Sequence, residues 1–137
     1  MKNVAVIGMG TMGPGIAATL ARGGLTVRGY DTNPEAMANS AGLINGAFGV
    51  LDALGMPDRG GADQISMSES LEACVAGADL VVETVPEVLE LKLELLDTLD
   101  GLVSPDCVLA SDTSGLPITR LQEGNSYPGR VIGMHWS

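Results

Sequence analysis

Three glycines and one carboxylate carry the clearest chemical signal in this sequence. Gly8-Met9-Gly10-Thr11-Met12-Gly13 follows a short apolar run, Lys2 to Gly8, that reads as a buried strand, and it opens a segment with helical spacing. In such a setting Gly8 permits a tight turn, Gly10 lets the backbone approach a pyrophosphate, and Gly13 allows a helix to pack closely on the strand. Thr11 and Met12 lie in the same loop and are expected to touch the same ligand. The helix start then offers free N–H groups and the positive end of its dipole to phosphates, and Pro14 falls in the first turn, where a missing N–H costs little. Asp31 ends the next strand. A carboxylate there accepts hydrogen bonds from both hydroxyls of an adenosine ribose and repels a 2′-phosphate, so the pattern predicts NAD rather than NADP. A glycine-rich turn with an ordinary surface aspartate would use the same letters; the order strand, glycines, helix, acid argues against it.

Two further side chains suit proton chemistry. His135 is the single histidine and ends the last apolar run; an imidazole takes up a hydroxyl proton and returns it. Ser114 follows another strand-like run, and its hydroxyl can donate to a carbonyl or accept from an alcohol. The plain alternatives are a structural histidine and a turn-forming serine.

The elements that must position these groups alternate. Helical spacing runs from Gly10 to Arg22 and stops at Gly23-Gly24. Leu25 to Tyr30 reads as a second strand. Asn33 with Pro34 caps a helix that runs toward Leu54. Gly55 to Gly61 is a loop, Gln64 to Ser68 a short third strand, and Ser70 to Ala76 one or two helical turns. Asp79 to Thr84 forms a fourth strand, Glu87 to Leu102 a leucine-spaced helix, and Cys107 to Ser111 a fifth strand. Pro117 to Gln122 is a short helix and Arg130 to Met134 a sixth strand. This alternation predicts an α/β fold, a Rossmann-type doubly wound parallel sheet with helices on both faces, in one domain over residues 1–137.

Composition agrees and excludes several classes. Hydrophobic residues make up 45% of the chain and aromatics only 3%, so the core must be aliphatic. Seventeen acidic residues against 7 basic ones give a net charge of −10, which argues against a nucleic-acid partner. Cys74 and Cys107 match no metal spacing and read as buried free thiols of a reducing cytoplasm. No metal site, no signal peptide and no membrane span are expected.

Taken together, the Gly8–Gly15 loop, Ala78-Asp-Leu-Val-Val-Glu-Thr-Val-Pro-Glu87, Ala110-Ser-Asp-Thr-Ser-Gly-Leu-Pro-Ile-Thr119 and Arg130-Val-Ile-Gly-Met-His135 resemble the L-3-hydroxyacyl-CoA dehydrogenase family across essentially the whole chain. The resemblance implies an NAD-dependent oxidoreductase that moves a hydride between NAD and a 3-hydroxyacyl or 3-hydroxy acid substrate. It implies that Glu87 and Lys92 line the cofactor site, that Ser114 touches both nicotinamide and substrate oxygen, and that His135 is the catalytic base. It also implies a homodimer for a full-length form and a further helical domain, absent from this chain, that carries the glutamate orienting the histidine. These 137 residues are accordingly expected to bind NAD without being catalytically complete.

Three departures from the family pattern matter. Asp112 stands where the family has Asn, bringing a negative charge near the site. Between Asp31 and Lys92 the only basic residue is Arg59, in a loop, and Ser40 has no lysine beside it, so contacts to CoA find no support. Trp136-Ser137 differs from the usual aromatic pair after the histidine. Relatives acting on free hydroxy acids, such as those like carnitine or gulonate dehydrogenase, therefore stay open. So do a 3-hydroxyisobutyrate or 6-phosphogluconate type of dehydrogenase and a nucleotide-binding module without catalysis.

Overall fold

The computed structural model describes residues 1–136. Six strands form one sheet: β1 (Asn3–Ile7), β2 (Thr26–Tyr30), β3 (Ile65–Met67), β4 (Leu80–Glu83), β5 (Val108–Ser111) and β6 (Val131–Gly133). Their order is β3-β2-β1-β4-β5-β6 and every pair is parallel. Five helices connect them: α1 (Gly13–Arg22), α2 (Pro34–Ala53), α3 (Leu71–Val75), α4 (Leu89–Asp100) and α5 (Ile118–Gln122). This is the doubly wound arrangement, with its topological switch point between β1 and β4.

Strand alternation sorts the core into two layers. Ala5 and Ile7 of β1 face α3, α4 and α5, whose Val75, Leu96, Leu99 and Leu121 are buried against Val81, Leu109 and Val131. Val4 and Val6 face the other way, onto Ile16, Ala17 and Ala21 of α1 and Ile44 of α2, beside Val27, Leu80 and Val82. Both cysteines are buried and unbridged, and burial pushes the Cys74 thiol up to about 11.

Local signals set most boundaries. Asn33 accepts from the Glu35 amide at 2.9 Å and Ser70 accepts from the Ala73 amide at 3.1 Å, capping α2 and α3. The principal shift concerns α4, which begins at Leu89 rather than Glu87. Val88 is extended, at φ −122° and ψ 118°, so Glu87 lies in the crossover and not on the helix. β6 likewise ends at Gly133, placing His135 just beyond the strand.

One row of paired residues marks the carboxyl edge of the sheet: Tyr30, Ile7, Glu83, Ser111 and Gly133, on β2, β1, β4, β5 and β6. The chain therefore leaves each of these strands on the same side, at Asp31, Gly8, Thr84, Asp112 and Met134. Among the described residues no helix is long and apolar enough to cross a membrane, and no group of three His, Cys, Asp or Glu side chains is placed to hold a metal.

Candidate active site

The glycine turn leaves β1 with Gly8 at φ +98°, in the left-handed region. A Cβ at Gly8 would lie 2.5 Å from Thr84 Oγ1, and one at Gly13 would overlap the Gly8 carbonyl oxygen. A Cβ at Gly10 would meet nothing within 4 Å. The space at the first glycine is thus taken by Thr84 and that at the third by the Gly8 backbone, while the second faces open space. No side chain caps the start of α1, so its first amides remain available to an anion.

Asp31 braces this turn from the neighbouring strand. Its Oδ2 accepts from the Met9 amide at 2.8 Å and its Oδ1 from the Asn33 amide at 2.9 Å. A cleft of about 600 Å³ opens beside it, lined by Gly8, Gly10, Thr11, Met12 and Asp31 together with Tyr30, Thr84, Pro86, Leu91 and Leu95. The uncapped amides of the turn, the Asp31 carboxylate and the apolar walls from the β4–α4 crossover and α4 fit an extended dinucleotide.

The second half of the site lies where β5 and β6 end. Glu87 reaches from the β4–α4 crossover to the loop after β5. Its Oε1 accepts from Thr113 Oγ1 at 2.8 Å, and its Oε2 accepts from the Ser114 amide at 2.9 Å, Ser114 Oγ at 3.1 Å and the Gly115 amide at 3.2 Å. Partial desolvation works to raise the Glu87 carboxyl, but the donors from Ser114, Thr113 and Gly115 together outweigh it and hold it down at about 2. Ser114 is exposed, with its hydroxyl proton directed at Glu87. His135 is also exposed. The residues on either side of it are tied to the exit of β5: the Met134 amide donates to Ser111 O at 2.9 Å, and the Trp136 amide donates to Asp112 Oδ1 at 2.9 Å. One oxygen of Asp112, the residue that departs from the family's Asn, is therefore engaged by the chain after β6.

The cleft gathers Gly8, Gly10, Thr11, Met12 and Asp31, while Gly13 packs behind the turn. Ser114 and His135 stand outside its lining, in the segments that follow β5 and β6 at the same edge. Lys92 departs from the sequence expectation. It is 1% exposed and, like Glu87, is not among the residues lining the cleft. Its ammonium donates to Glu83 Oε1 at 2.8 Å, Glu83 Oε2 at 2.9 Å and Val85 O at 3.1 Å, which uses its three protons; Glu87 Oε1 stands farther off, at 3.8 Å. The physical reason is Glu83, a carboxylate carried into the interior by the end of β4, which takes the nearest cation. Burial pushes the Glu83 carboxyl up, opposed by Lys92, Ser111 and the Val85 amide.

Sequence reasoning passed over Glu83 and Thr84 as ordinary strand residues. Thr84 Oγ1 donates to Gly8 O at 2.8 Å and lines the cleft. Its signal was available: it is the first residue past a strand that borders the switch point. Glu83 signalled itself only as a charge inside an otherwise apolar run. Arg130, buried before β6, is held by Asp100 Oδ1 and Ser104 O, both at 2.6 Å, and supports that strand rather than the site.

The fold and the cleft define a dinucleotide-binding domain of the dehydrogenase type. Residues 3–137 match the family described as 3-hydroxyacyl-CoA dehydrogenase, NAD binding domain, and the chain belongs to that family. NAD is accordingly its cofactor. The chain is 49% identical to 5-formyl-3-hydroxy-2-methylpyridine 4-carboxylate 5-dehydrogenase of Mesorhizobium japonicum, over 100% of this chain and 45% of that protein. It is 36% identical to L-carnitine dehydrogenase of Streptomyces griseus, over 98% of this chain and 40% of that protein. A crystal structure of a 5-formyl-3-hydroxy-2-methylpyridine 4-carboxylic acid 5-dehydrogenase, described as an NAD+ dependent dismutase, superimposes with a TM-score of 0.93 at 48% identity, covering 100% of this chain and 45% of that one. The chain thus spans less than half the length of these relatives.

Proposed function

We propose that the protein carrying this chain is an NAD-dependent oxidoreductase acting on a small substrate without CoA, at a carbon bearing a hydroxyl or carbonyl oxygen. The observation that carries this reading is the shared carboxyl edge: the glycine turn, Asp31, Ser114 and His135 all follow strands that end in one row. When bound, NAD supplies the hydride acceptor or, reduced, the hydride donor. Ser114, with its proton committed to Glu87, presents its remaining lone pairs to an alcohol. His135 takes the hydroxyl proton in oxidation and returns it in reduction. We assign Gly8, Gly10, Thr11, Met12, Gly13 and Asp31 to cofactor binding, and Glu87 to holding the Ser114 loop.

Absence of CoA is argued from charge. α2, which leaves the adenosine end of the cleft, has no Lys or Arg along its 20 residues, and the chain carries a net charge of −10. Phosphates outside the turn would meet no cation there. The pyridine carboxylate named by the 49% identical relative is the first substrate to test. Residues 1–137 alone are proposed to bind NAD(H) without turnover, and a homodimer is proposed for a protein of the relatives' full length.

The test compares that pyridine compound, its formyl group reacting as the hydrate, with L-carnitine and 3-hydroxybutyryl-CoA as substrates, following NADH absorbance together with acid and alcohol products in the protein carrying this chain. His135→Gln should lower turnover by about 10²- to 10⁴-fold and leave the NADH Kd within about threefold. Preference for the CoA ester would refute the substrate class, and full activity of His135→Gln would refute the catalytic assignment.

A further inference from the structure

We infer that Glu83 is a positioning residue: paired with Lys92, it fixes the crossover from which Glu87 grips the Ser114 loop, and so sets where Ser114 meets the reacting oxygen. The inference deepens the proposed function and rests on it for the role of Ser114. Glu83 and Lys92 are each 1% exposed; Glu83 lies in the row where β4 meets Ile7 on one side and Ser111 on the other, and Lys92 reaches it from α4. An apolar pair of similar volume would serve the stability of that layer as well or better, because two charges must lose their water to be buried. What the ion pair adds is direction. Both Glu83 oxygens accept from Lys92, Ser111 Oγ also donates to Oε1, and Oε2 also accepts from the Val85 amide at 3.2 Å. Lys92 takes the Val85 carbonyl at 3.1 Å. Val85 is thereby held at both its N–H and its C=O, two residues before Glu87.

The crossover is fastened to both halves of the site. At its start Thr84 holds the glycine turn through Gly8 O. At its end Glu87 receives four donors from Thr113, Ser114 and Gly115, with the Lys92 ammonium 3.8 Å behind it. A crossover loosened at Val85 would release the Ser114 loop while leaving the glycine turn and Asp31 in place.

The test uses this chain, wild type against Glu83→Asp, which keeps a charge for Lys92 but draws the carboxylate back from Val85, and against Glu83→Gln, which keeps the shape and removes the charge. Three readouts are needed: NADH titration by fluorescence, a thermal melt, and residue-resolved amide hydrogen exchange. The Glu83 variants should bind NADH within about threefold of wild type and keep protection at Val82 and Leu109. Exchange at the Ser114 and Gly115 amides should accelerate about tenfold or more. In the protein carrying this chain, kcat should fall about tenfold with the KM for NAD unchanged. A merely structural pair would instead lower the melting temperature and raise exchange across the sheet, with Ser114 and Gly115 moving no more than Val82; that result overturns the inference. If Glu83→Gln does not fold because it leaves the buried Lys92 without its carboxylate, Glu83→Asp carries the comparison, and failure of both to fold overturns the inference, since the pair would then be structural. Failure of the wild-type chain to bind NADH would sink the cofactor reading instead, and is separately visible.

Discussion

Gly10→Ala and Gly13→Ala are the same substitution three residues apart in one turn, and the structure requires them to fail in different ways. At Gly10 the added methyl meets nothing within 4 Å, so the protein without ligand should be indifferent to it. The methyl projects from a residue lining the cleft, at the point where the backbone must approach a pyrophosphate. One steric displacement there should raise the NADH Kd by about tenfold or more, equivalent to about 1.4 kcal/mol, with the melting temperature within about 2 °C of wild type. At Gly13 the methyl overlaps the Gly8 carbonyl oxygen and lies 2.9 Å from its carbon. These are backbone atoms, so no side chain can rotate away, and α1 must lift from β1. Overpacking of this kind costs about 1 to 3 kcal/mol, which in a chain of this size lowers the melting temperature by roughly 3 to 12 °C. Binding should weaken as well, because the displaced helix carries amides that the proposed site turns toward the phosphates. The assay is a thermal melt with and without NADH, paired with a fluorescence titration of each variant. Wild-type affinity in Gly10→Ala would refute the placement of the pyrophosphate, and wild-type stability in Gly13→Ala would refute the packing argument.

Asp31→Asn keeps the shape and one acceptor oxygen, removes the charge, and sets its NH2 against either the Met9 or the Asn33 amide, both of which Asp31 accepts. NADH affinity should fall about tenfold and discrimination against NADPH should narrow; an unchanged NADH-to-NADPH ratio in the titrations would argue against a ribose contact. Glu87 makes a prediction about acid stability. Its carboxyl is held down from 4.5 to about 2 in the fold, so as pH falls the unfolded chain binds this proton first. The stabilisation is therefore complete above the ordinary carboxylate value and disappears as pH drops through about 2. The melting-temperature gap between wild type and Glu87→Gln should be widest near neutral pH and close across that acid range. It should be modest, because the side chain is 42% exposed; a gap that did not change with pH would contradict the assignment.

Much of the architecture could be read from the residues because its causes are local. Alternating apolar positions in Asn3–Ile7 serve two faces of a sheet, Asn33 and Ser70 cap the helices that follow them, and glycine alone tolerates the conformation of Gly8. The order of strands and helices, the NAD turn and its acidic partner at Asp31 follow from such signals. The partners of the buried charges do not. Lys92 stands five positions after Glu87 in sequence, yet its ammonium goes to Glu83, because β4 ends with that carboxylate inside the layer that α4 covers. Glu87 meets Ser114 only because β4 and β5 are neighbours whose loops leave the same edge, and Asp31 reaches the Met9 amide because β2 lies beside β1. Periodicity specifies which face a residue occupies. Which distant group shares that face is decided when the strands pair, since a buried charge takes whatever opposite charge the assembled sheet brings within reach.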